Sequence, residues 1–514
     1  MNHLLEEALK NLRYPAELRP EILDFARQFT YQGHQDSRYI LKRVRRRFGS
    51  PPPLVELRDK PAPLSVALEA RSDLERKNLF VTERKIHELL VSPVALGGAL
   101  MPDAGVAGSE TASLPVGGIL ATCNALVPAA HSADICCSVR ATFFESALNI
   151  STLMDRLQAN TRFGPGGRDR ESLVPHPVLD EAIWHNPFLS DLKPKAEMHL
   201  CDQGDGNHFA SLGAFRLSAK QRELMIKMGH ADLAEQLWGK QLYVLTTHHG
   251  SRGLGASVFK RGQAAAVKHT HQLNPKIPPA ACWIKANSAQ GQDYWEALRY
   301  VARWTQANHQ VIHERFLTEC QADSIADLGN EHNFVWKRDD TYLHAKGATP
   351  AWPDELGRPR LGLIPLSMRD PILIVAGQDN SDYFSFAPHG AGRNQSRTAY
   401  LKSARRASND PNAFCRQLEA ATQGVDVRWF SGKPDITETA GAYKSAQEIR
   451  RQIEKFKLAT VVGEIQPLGC IMAGRSKSWR ELKEDHFTPK QRRQMQHRAQ
   501  RRKGRQARDW LSED

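Results

Sequence analysis

Five short segments of the sequence each combine a metal-binding or nucleophilic side chain with glycine or with a tight turn. They are Asp134-Ile135-Cys136-Cys137, Gly204–Phe209 (GDGNHF), His248–Gly253 (HHGSRG), Glu331-His332-Asn333 and Pro388–Arg393 (PHGAGR). Divalent transition metals bind neutral imidazole, thiolate and carboxylate groups, and two ions need about five such ligands. A lone His beside Gly is more often a surface or core residue, so the prediction of a metal centre depends on the whole set.

Glycine in these segments indicates a second property of the site, an affinity for phosphate. Glycine leaves backbone N–H groups unobstructed, which allows a phosphate to approach closely. Arg252 and Arg393 lie in the same segments, and a guanidinium can bind a phosphate through two parallel hydrogen bonds. The alternative for any single segment is an ordinary tight turn. Metal ligands together with phosphate-binding turns predict phosphoryl or nucleotidyl transfer.

The chain between about residue 61 and Gly474 alternates between strand-like and helix-like patterns. The β-rich runs include QLYVLTTH, PILIVAG and ATVVGEI, and a long helical pattern covers DYWEALRYVARWTQANHQVIHERF. These patterns predict one mixed α/β body over residues 61–474. Residues 1–60 are predicted to form a helical N-terminal extension, because LRPEILDFARQF and SRYILKRVRRRF carry apolar residues every three or four positions. The predicted fold class is therefore α+β, with this extension before the body and a basic tail, 475–514, after it.

Composition and charge indicate a globular protein with a polyanionic partner. Of the 514 residues 41 % are apolar, and we find no run long enough to cross a membrane and no secretory h-region at the start, so we expect a cytoplasmic protein. The net charge is +13, and Arg475–Asp514 contains 13 Lys and Arg against 6 Asp and Glu. This tail and the basic run Lys42–Arg47 favour RNA as a partner over the alternative of a merely solvated arm.

Taken in order, the segments resemble the RtcB-type RNA ligases. The motifs that carry the resemblance are Met101–Asp103 (MPD), ADICCSVR, GDGNHF, HHGSRGLG, EHN, His344–Ala351 (HAKGATPA), Ile364–Met368 (IPLSM) and HGAGR. The resemblance covers roughly residues 61–474. The resemblance implies a mixed α/β catalytic domain that joins an RNA 2′,3′-cyclic phosphate or 3′-phosphate end to a 5′-hydroxyl end, using GTP and two Mn²⁺ ions. Candidate substrates are tRNA and rRNA.

The resemblance also implies roles for individual residues. The metal ligands would be Asp134, Cys137, His208, His248 and His332, with Cys137 bridging the two ions. His389 would be the nucleophile that accepts GMP as a phosphoramidate. The residues implied for the nucleotide pocket are Asn207, His208, Phe209, His332, Asn333, Pro365, Ser367, Met368, His389, Gly390, Ala391 and Gly392.

The sequence departs from the family pattern at several positions. Gly105 stands where the family has His, Ser211 where it has a Glu, and Met472 where it has a nucleotide-contacting Lys. Further departures are Ala345 within the HAKGAT block and Arg369, Asp370 and Ile372 after the IPLSM block. Without the Glu, buried N–H donors of guanine would lack a partner, at about 1–3 kcal/mol each. We therefore expect nucleotide selectivity to be relaxed.

Three functions remain compatible with the sequence. The first is an RNA ligase that acts in repair or splicing, and the second is a metal-dependent RNA-end hydrolase that keeps the metal centre without ligation. The third is a non-catalytic RNA- or ribosome-binding protein. Retention of His389 together with the five candidate ligands favours an enzyme, because a scaffold needs no nucleophile.

Overall fold

The computed structural model describes residues 14, 18–32, 36–49, 55–105, 114–164, 166–406 and 413–474. Within these ranges the chain forms a mixed body of sheets and helices, preceded by two helices. The α+β fold class is thereby confirmed. The expected basic tail, 475–514, lies outside the described residues.

The bounds of the elements are as follows. The helices are α1 (Arg19–Tyr31), α2 (Ser37–Phe48), α3 (Asp73–Leu90), α4 (Ile150–Asn160), α5 (Lys193–His199), α6 (Ala219–Lys227), α7 (Ala231–Leu237), α8 (Arg252–Leu273), α9 (Ala289–Cys320), α10 (Arg397–Arg406), α11 (Ala413–Thr422) and α12 (Ala446–Lys455). The strands are β1 (Leu64–Val66), β2 (Ala95–Gly105), β3 (Val116–Cys123), β4 (Ala125–Leu126), β5 (Ser138–Phe144), β6 (Arg162–Phe163), β7 (Asp202–Gly204), β8 (Phe209–Phe215), β9 (Leu242–His249), β10 (Ile284–Lys285), β11 (Ala326–Glu331), β12 (Asn333–Arg338), β13 (Thr341–Lys346), β14 (Ala348–Pro350), β15 (Leu361–Ile364), β16 (Ile372–Gly377), β17 (Phe386–Pro388), β18 (Asp426–Trp429) and β19 (Ala459–Met472).

The largest sheet brings the ends of four neighbouring strands to one place. Its order is β11-β5-β9-β8-β19-β16-β15, with β18 beside β19. The first four strands are antiparallel neighbours, and Ser138 lies opposite both His249 and Glu331, while Phe209 lies opposite His248. Strand β5 begins directly after Cys137, β8 directly after His208, and β11 ends directly before His332. Candidate ligands far apart in sequence therefore meet at one end of adjacent strands.

A second sheet and a short ladder position the candidate nucleophile. The five-stranded sheet has the order β1-β2-β3-β13-β12, and Asp103 lies near the end of β2. Strand β14 pairs antiparallel with β17, which ends one residue before His389. Gly392, three residues further on, has φ +67°, and a Cβ there would lie 2.0 Å from the carbonyl oxygen of Asp103. Only glycine allows the His389 loop to approach β2 so closely.

Helix α9 is the main buried support of the core. Ser288 caps its N-terminus by accepting a hydrogen bond from the Gly291 N–H. Tyr294, Tyr300 and Trp304 are fully buried, and the last two lie one turn apart on the same helix face. The hydrophobic periodicity in DYWEALRYVARWTQANHQVIHERF thus reflects a helix that packs inside the body.

Helices α1 and α2 pack against each other through a small separate cluster. Its buried members include Ile22, Ile40 and Val44, in agreement with the helices predicted for the extension. The guanidinium of Arg47 lies 4.8 Å from the ring centroid of Phe25, a cation–π distance. Among the described residues, none of the helices has the length and apolar character that crossing a bilayer demands.

Strand β5 carries a buried aromatic side chain, Phe143, whose removal tests how much the core of the largest sheet contributes to stability. Phe143 is fully buried, and its ring centroid lies 5.1 Å from that of Phe215 in an edge-on arrangement. We expect Phe143→Ala to lower the free energy of unfolding by about 3–5 kcal/mol, because the cavity cannot collapse within a sheet. Chemical denaturation measures the effect. Leu356→Ala, at a side chain that is 74 % exposed, is the control, and equal midpoints for both variants would contradict the assignment.

Candidate metal and nucleotide site

The five predicted metal ligands form one cluster around the thiol of Cys137. Its Sγ lies 3.2 Å from Nε2 of His248 and 3.5 Å from Nε2 of His208. Nε2 of His248 lies 3.2 Å from Nε2 of His332, and Nε2 of His208 lies 2.9 Å from Oδ2 of Asp134. The donor atoms fall into two groups, each within 4.8 Å: Cys137, His248 and His332, and Asp134, Cys137 and His208. Cys137 is common to both groups.

The protonation states of the cluster fit divalent metal ions. Burial lowers the pKa of His248 and of His332 well below the usual range, so both imidazoles are neutral. Nδ1 of His248 lies 3.3 Å from the carbonyl oxygen of Asn207; an N–H there leaves the Nε2 lone pair facing the cluster. Burial and the nearby Asp134 raise the pKa of the Cys137 thiol. A bound cation would reverse that effect and stabilise the thiolate.

Backbone hydrogen bonds hold the ligand segments together. The Cys136 N–H donates to the carbonyl oxygen of Asn333 at 2.6 Å, and the His332 N–H donates to that of Cys137 at 2.9 Å. The Cys136 backbone has φ +56°, which forms the tight turn between Asp134 and Cys137. A Cβ on Gly250 would lie 2.1 Å from Oδ1 of Asp134. The glycine of the HHG sequence is thus required for space beside the ligand carboxylate.

A layer of buried histidines and hydroxyls lies behind the ligands, and the sequence alone did not reveal it. His309 contacts the hydroxyl of Ser138 through Nε2 at 3.0 Å and that of Thr247 through Nδ1 at 2.6 Å. His313 contacts Thr247 and Thr142, both at 2.7 Å. The four-residue spacing of the two histidines places them on one face of α9. This spacing is the sequence pattern from which the layer could have been predicted. These bonds fix β5 and β9 directly behind the cluster.

The candidate nucleophile His389 is oriented by a buried carboxylate. Its Nδ1 lies 2.5 Å from Oδ2 of Asp103, which is fully buried. The His389 backbone N–H donates to the same oxygen at 3.3 Å. Its ring centroid lies 4.8 Å from that of the ligand His332. An N–H at Nδ1 leaves Nε2 as the ring nitrogen with a lone pair for attack.

The metal-donor cluster and His389 both face one cavity of about 610 Å³. Of the residues implied for the nucleotide pocket, those that line it are Asn207, Phe209, His332, Asn333, Pro365, Ser367, Met368, His389, Gly390, Ala391 and Gly392. His208 is not among the lining residues and contacts the site through the metal cluster instead. The cavity has the size of typical small-molecule sites, so a nucleotide fits it.

A buried carboxylate, Glu438, holds two arginines at the cavity. Its oxygens accept hydrogen bonds from Nη2 of Arg393 at 2.6 Å, from Nε of Arg397 at 2.7 Å and from the Tyr443 hydroxyl at 2.7 Å. All four residues line the cavity. The sequence singled out Arg393 but missed Glu438 and Arg397. Asp103 belongs to the MPD motif, but no role was predicted for it, because no local sequence pattern indicates that it contacts His389.

The departures from the family pattern have structural reasons. A Cβ on Gly105 would lie 2.4 Å from the carbonyl oxygen of Arg393, so this chain has no room for a histidine there. Ala345 is fully buried in β13 within a hydrophobic cluster, where burial of a charged side chain would be costly. Met472 is buried opposite Phe209 on β19, in a cluster with Met368 and Cys470.

Comparison with known proteins identifies similar chains. The family model described as tRNA-splicing ligase RtcB matches residues 184–473. The tRNA-splicing ligase RtcB of Thermococcus kodakarensis is 25 % identical over 441 residues, which cover 72 % of this chain and 86 % of that protein. The protein of the same name from Pyrococcus horikoshii is 28 % identical over 312 residues, covering 54 % of this chain and only 33 % of that protein. The RNA-splicing ligase RtcB of Escherichia coli K12 is 24 % identical over 347 residues, covering 59 % and 75 %.

The presence of Cys137 in both groups of metal donors can be tested by mutation, with the neighbouring cysteine as a matched control. We expect the protein to bind two Mn²⁺ ions and Cys137→Ala to weaken binding of both by at least about 100-fold, since loss of a ligand exceeds the effect of losing an outer contact. Cys136→Ala removes a neighbouring buried thiol that belongs to neither group of donors, and should leave binding unchanged. Equilibrium titration with Mn²⁺ measures stoichiometry and affinity. Full stoichiometry in the Cys137→Ala protein would show that no bridge exists.

Proposed function

The chain belongs to the RtcB family, and from that premise we propose that it is an RNA ligase. It joins a 2′,3′-cyclic phosphate or 3′-phosphate end to a 5′-hydroxyl end through a nucleotidyl group carried on His389. The observation that supports this most is the position of His389, which is held by the buried Asp103 carboxylate. His389 lines the same cavity as donors from both metal groups. The names of the similar proteins, tRNA- and RNA-splicing ligases, support the same reaction.

His389 acts first, as the nucleophile. Its Nε2 attacks the α-phosphorus of GTP, a phosphoramidate bond forms, and pyrophosphate leaves. The Asp103 carboxylate holds the Nδ1 proton at 2.5 Å and stabilises the positive charge that develops on the ring, as a buried carboxylate does for a catalytic imidazole.

Two Mn²⁺ ions, when bound, supply positive charge that stabilises the phosphate oxygens during transfer. Asp134 and His208 would hold one ion, His248 and His332 the other, and Cys137 both. The Gly390–Gly392 segment lines the cavity directly after the nucleophile. Its small residues leave the backbone accessible to the phosphates.

The remaining steps need a site for the RNA phosphate. A 2′,3′-cyclic phosphate end is first opened by water, which breaks the bond to the 2′-oxygen and leaves a 3′-phosphate. The nucleotidyl group passes from His389 to the RNA 3′-phosphate, and the 5′-hydroxyl of the second strand then displaces GMP. Arg397 is suited to bind this phosphate because Glu438 fixes its Nε at 2.7 Å, while its side chain remains 46 % exposed. A guanidinium oriented in this way presents its Nη groups for charge-assisted hydrogen bonds.

A test of the nucleophile uses α-labelled GTP with Mn²⁺. We expect His389→Ala to abolish covalent labelling, and Asp103→Asn to lower its rate by at least about 100-fold, because an amide stabilises neither the ring orientation nor its charge. Asp340→Asn, the same change at an exposed turn, is the control. Mn²⁺ binding should stay intact in all three proteins. Persistent label in the His389→Ala protein would rule out the assigned nucleophile.

Ligation itself is tested with two RNA strands, one ending in a 2′,3′-cyclic phosphate and the other starting with a 5′-hydroxyl. Joined product in the presence of GTP and Mn²⁺ is expected. Opening of the cyclic phosphate without joining would favour the RNA-end hydrolase.

Helix α2 supports RNA as the partner. It contains Arg38, Lys42, Arg43, Arg45, Arg46 and Arg47 and no acidic residue. Arg45 and Arg46 are exposed, and neither has a carboxylate within 4 Å among the described residues. Such a helix attracts a polyanion.

Charge reversal on α2 tests the RNA contact. We expect Arg45→Glu/Arg46→Glu to weaken binding of a structured RNA about tenfold and to lower the slope of log K against log salt by about 1 per lost phosphate contact. Lys220→Glu/Lys227→Glu, at exposed positions of α6, makes the same change in net charge elsewhere. Filter binding across a salt series measures both. Equal slopes for the two variants would exclude a specific contribution of α2.

A further inference from the structure

The lining of the cavity contains two chemically different groups of residues. One group, the donor end, comprises the metal donors and His389. The other, the apolar end, comprises Met368, Cys470 and Met472, which cluster with Phe209 and all line the cavity; it adjoins the donors, because the Phe209 ring centroid lies 5.4 Å from that of His248. A charged group is stable at the first end and an apolar ring at the second.

This division orients a bound nucleotide, an inference that rests on the proposed function. The α-phosphorus must lie beside Nε2 of His389 for attack, which places the phosphates at the donor end. The base then lies at the apolar end, against Phe209 and the methionines. Aromatic and thioether side chains suit the faces of a base, but they do not distinguish one base from another.

Base identity must therefore be read by a polar group at the apolar end. Three carboxylates line the cavity: Asp134, Asp370 and Glu438. Asp134 contacts His208 within the donor cluster, and Glu438 is bound by two arginines and a tyrosine. Of these three carboxylates, only that of Asp370 is not bonded to a metal donor or to a cationic side chain among the described residues.

The Asp370 carboxylate is held in place by a neutral partner. Its Oδ2 accepts a hydrogen bond from the Ser367 hydroxyl, and its backbone N–H donates to the Ser367 carbonyl oxygen at 3.2 Å. The adjacent Arg369 turns away and donates to the carbonyl oxygen of Ala420 at 2.7 Å. Among the described residues no Lys, Arg or His nitrogen forms an ion pair with Asp370. Its acceptor positions remain available because each carboxylate oxygen accepts more than one hydrogen bond.

Ser211 does not compete for this role. Its hydroxyl donates to the carbonyl oxygen of Thr246 at 3.5 Å, within the same sheet. The family pattern has a carboxylate at position 211. In this chain the Asp370 carboxylate lies instead on a different part of the cavity wall, the loop between β15 and β16.

We propose that Asp370 reads the nucleobase and selects guanine. Guanine presents two adjacent N–H donors, N1–H and the 2-amino group, which match the two oxygens of a carboxylate. Adenine presents a lone pair at N1 beside its 6-amino group, and this lone pair would face a negatively charged oxygen. Asp370 therefore leads us to expect guanine selectivity where Ser211 and Met472 alone predict its relaxation.

The test measures binding apart from chemistry. Equilibrium binding of GTP and of ATP is compared in full-length protein with Mn²⁺, on a His389→Ala background that prevents covalent transfer. We expect GTP to bind at least about tenfold more tightly than ATP, and added Asp370→Asn to remove or invert this ratio. An asparagine amide offers one donor and one acceptor, the pair that adenine requires. Asp340→Asn, the same change at an exposed turn, should leave the ratio unaltered.

The outcomes separate this proposal from the proposed function. Equal affinity for GTP and ATP, or a GTP preference that survives Asp370→Asn, would overturn the role of Asp370. Selective binding without any labelling of His389 in the otherwise unchanged protein would leave base reading intact and refute nucleotidyl transfer.

Discussion

The burial of a thiol, three imidazoles and a carboxylate within hydrogen-bonding distance of one another is the constraint on which the site depends. Buried polar groups are costly unless they are paired, and here the pairs are formed mostly among the ligands themselves. Cys137 lies between His208 and His248, and His248 lies 3.2 Å from His332. Four neighbouring strands of one sheet hold the cluster, because each begins or ends at or directly beside a candidate ligand. The His309 and His313 contacts behind them fix β5 to β9.

The proposed nucleophile, His389, depends on a different sheet from the candidate ligands. Asp103 belongs to β2, and the bond to His389 joins residues 286 apart in sequence. The close approach of Gly392 to the Asp103 backbone fixes this distance, while the ring contact between His389 and His332 sets the nucleophile against the donors. The relative placement of the two sheets therefore determines whether a phosphate held by the ligands lies within reach of Nε2.

The sequence predicted what local chemistry can specify. Ligand-type side chains in short turn segments, together with the family resemblance, predicted a set of donors that the structure brings together around Cys137. The apolar runs QLYVLTTH, PILIVAG and ATVVGEI correspond to β9, β16 and β19. Family membership and the α+β class are confirmed. The meeting of Cys137, His208, His248 and His332 at one end of the sheet follows from strand order, which no local pattern encodes. The partnership of Asp103 with His389 and that of Glu438 with Arg397 escaped prediction for the same reason, since each joins distant segments.

The departures from the family pattern at positions 211, 370 and 472 lie in the wall of one cavity. A lysine at position 472 would place a cation on β19 among Met368, Cys470 and Phe209, where it would need a carboxylate to offset its burial. Methionine removes that need and extends the apolar surface. Among the described residues the Asp370 carboxylate forms no ion pair, so it can accept hydrogen bonds from neutral donors. Ser211, Met472 and Asp370 thus form one consistent arrangement, in which the family's charged residues on β8 and β19 are replaced and a carboxylate lies on the loop between β15 and β16.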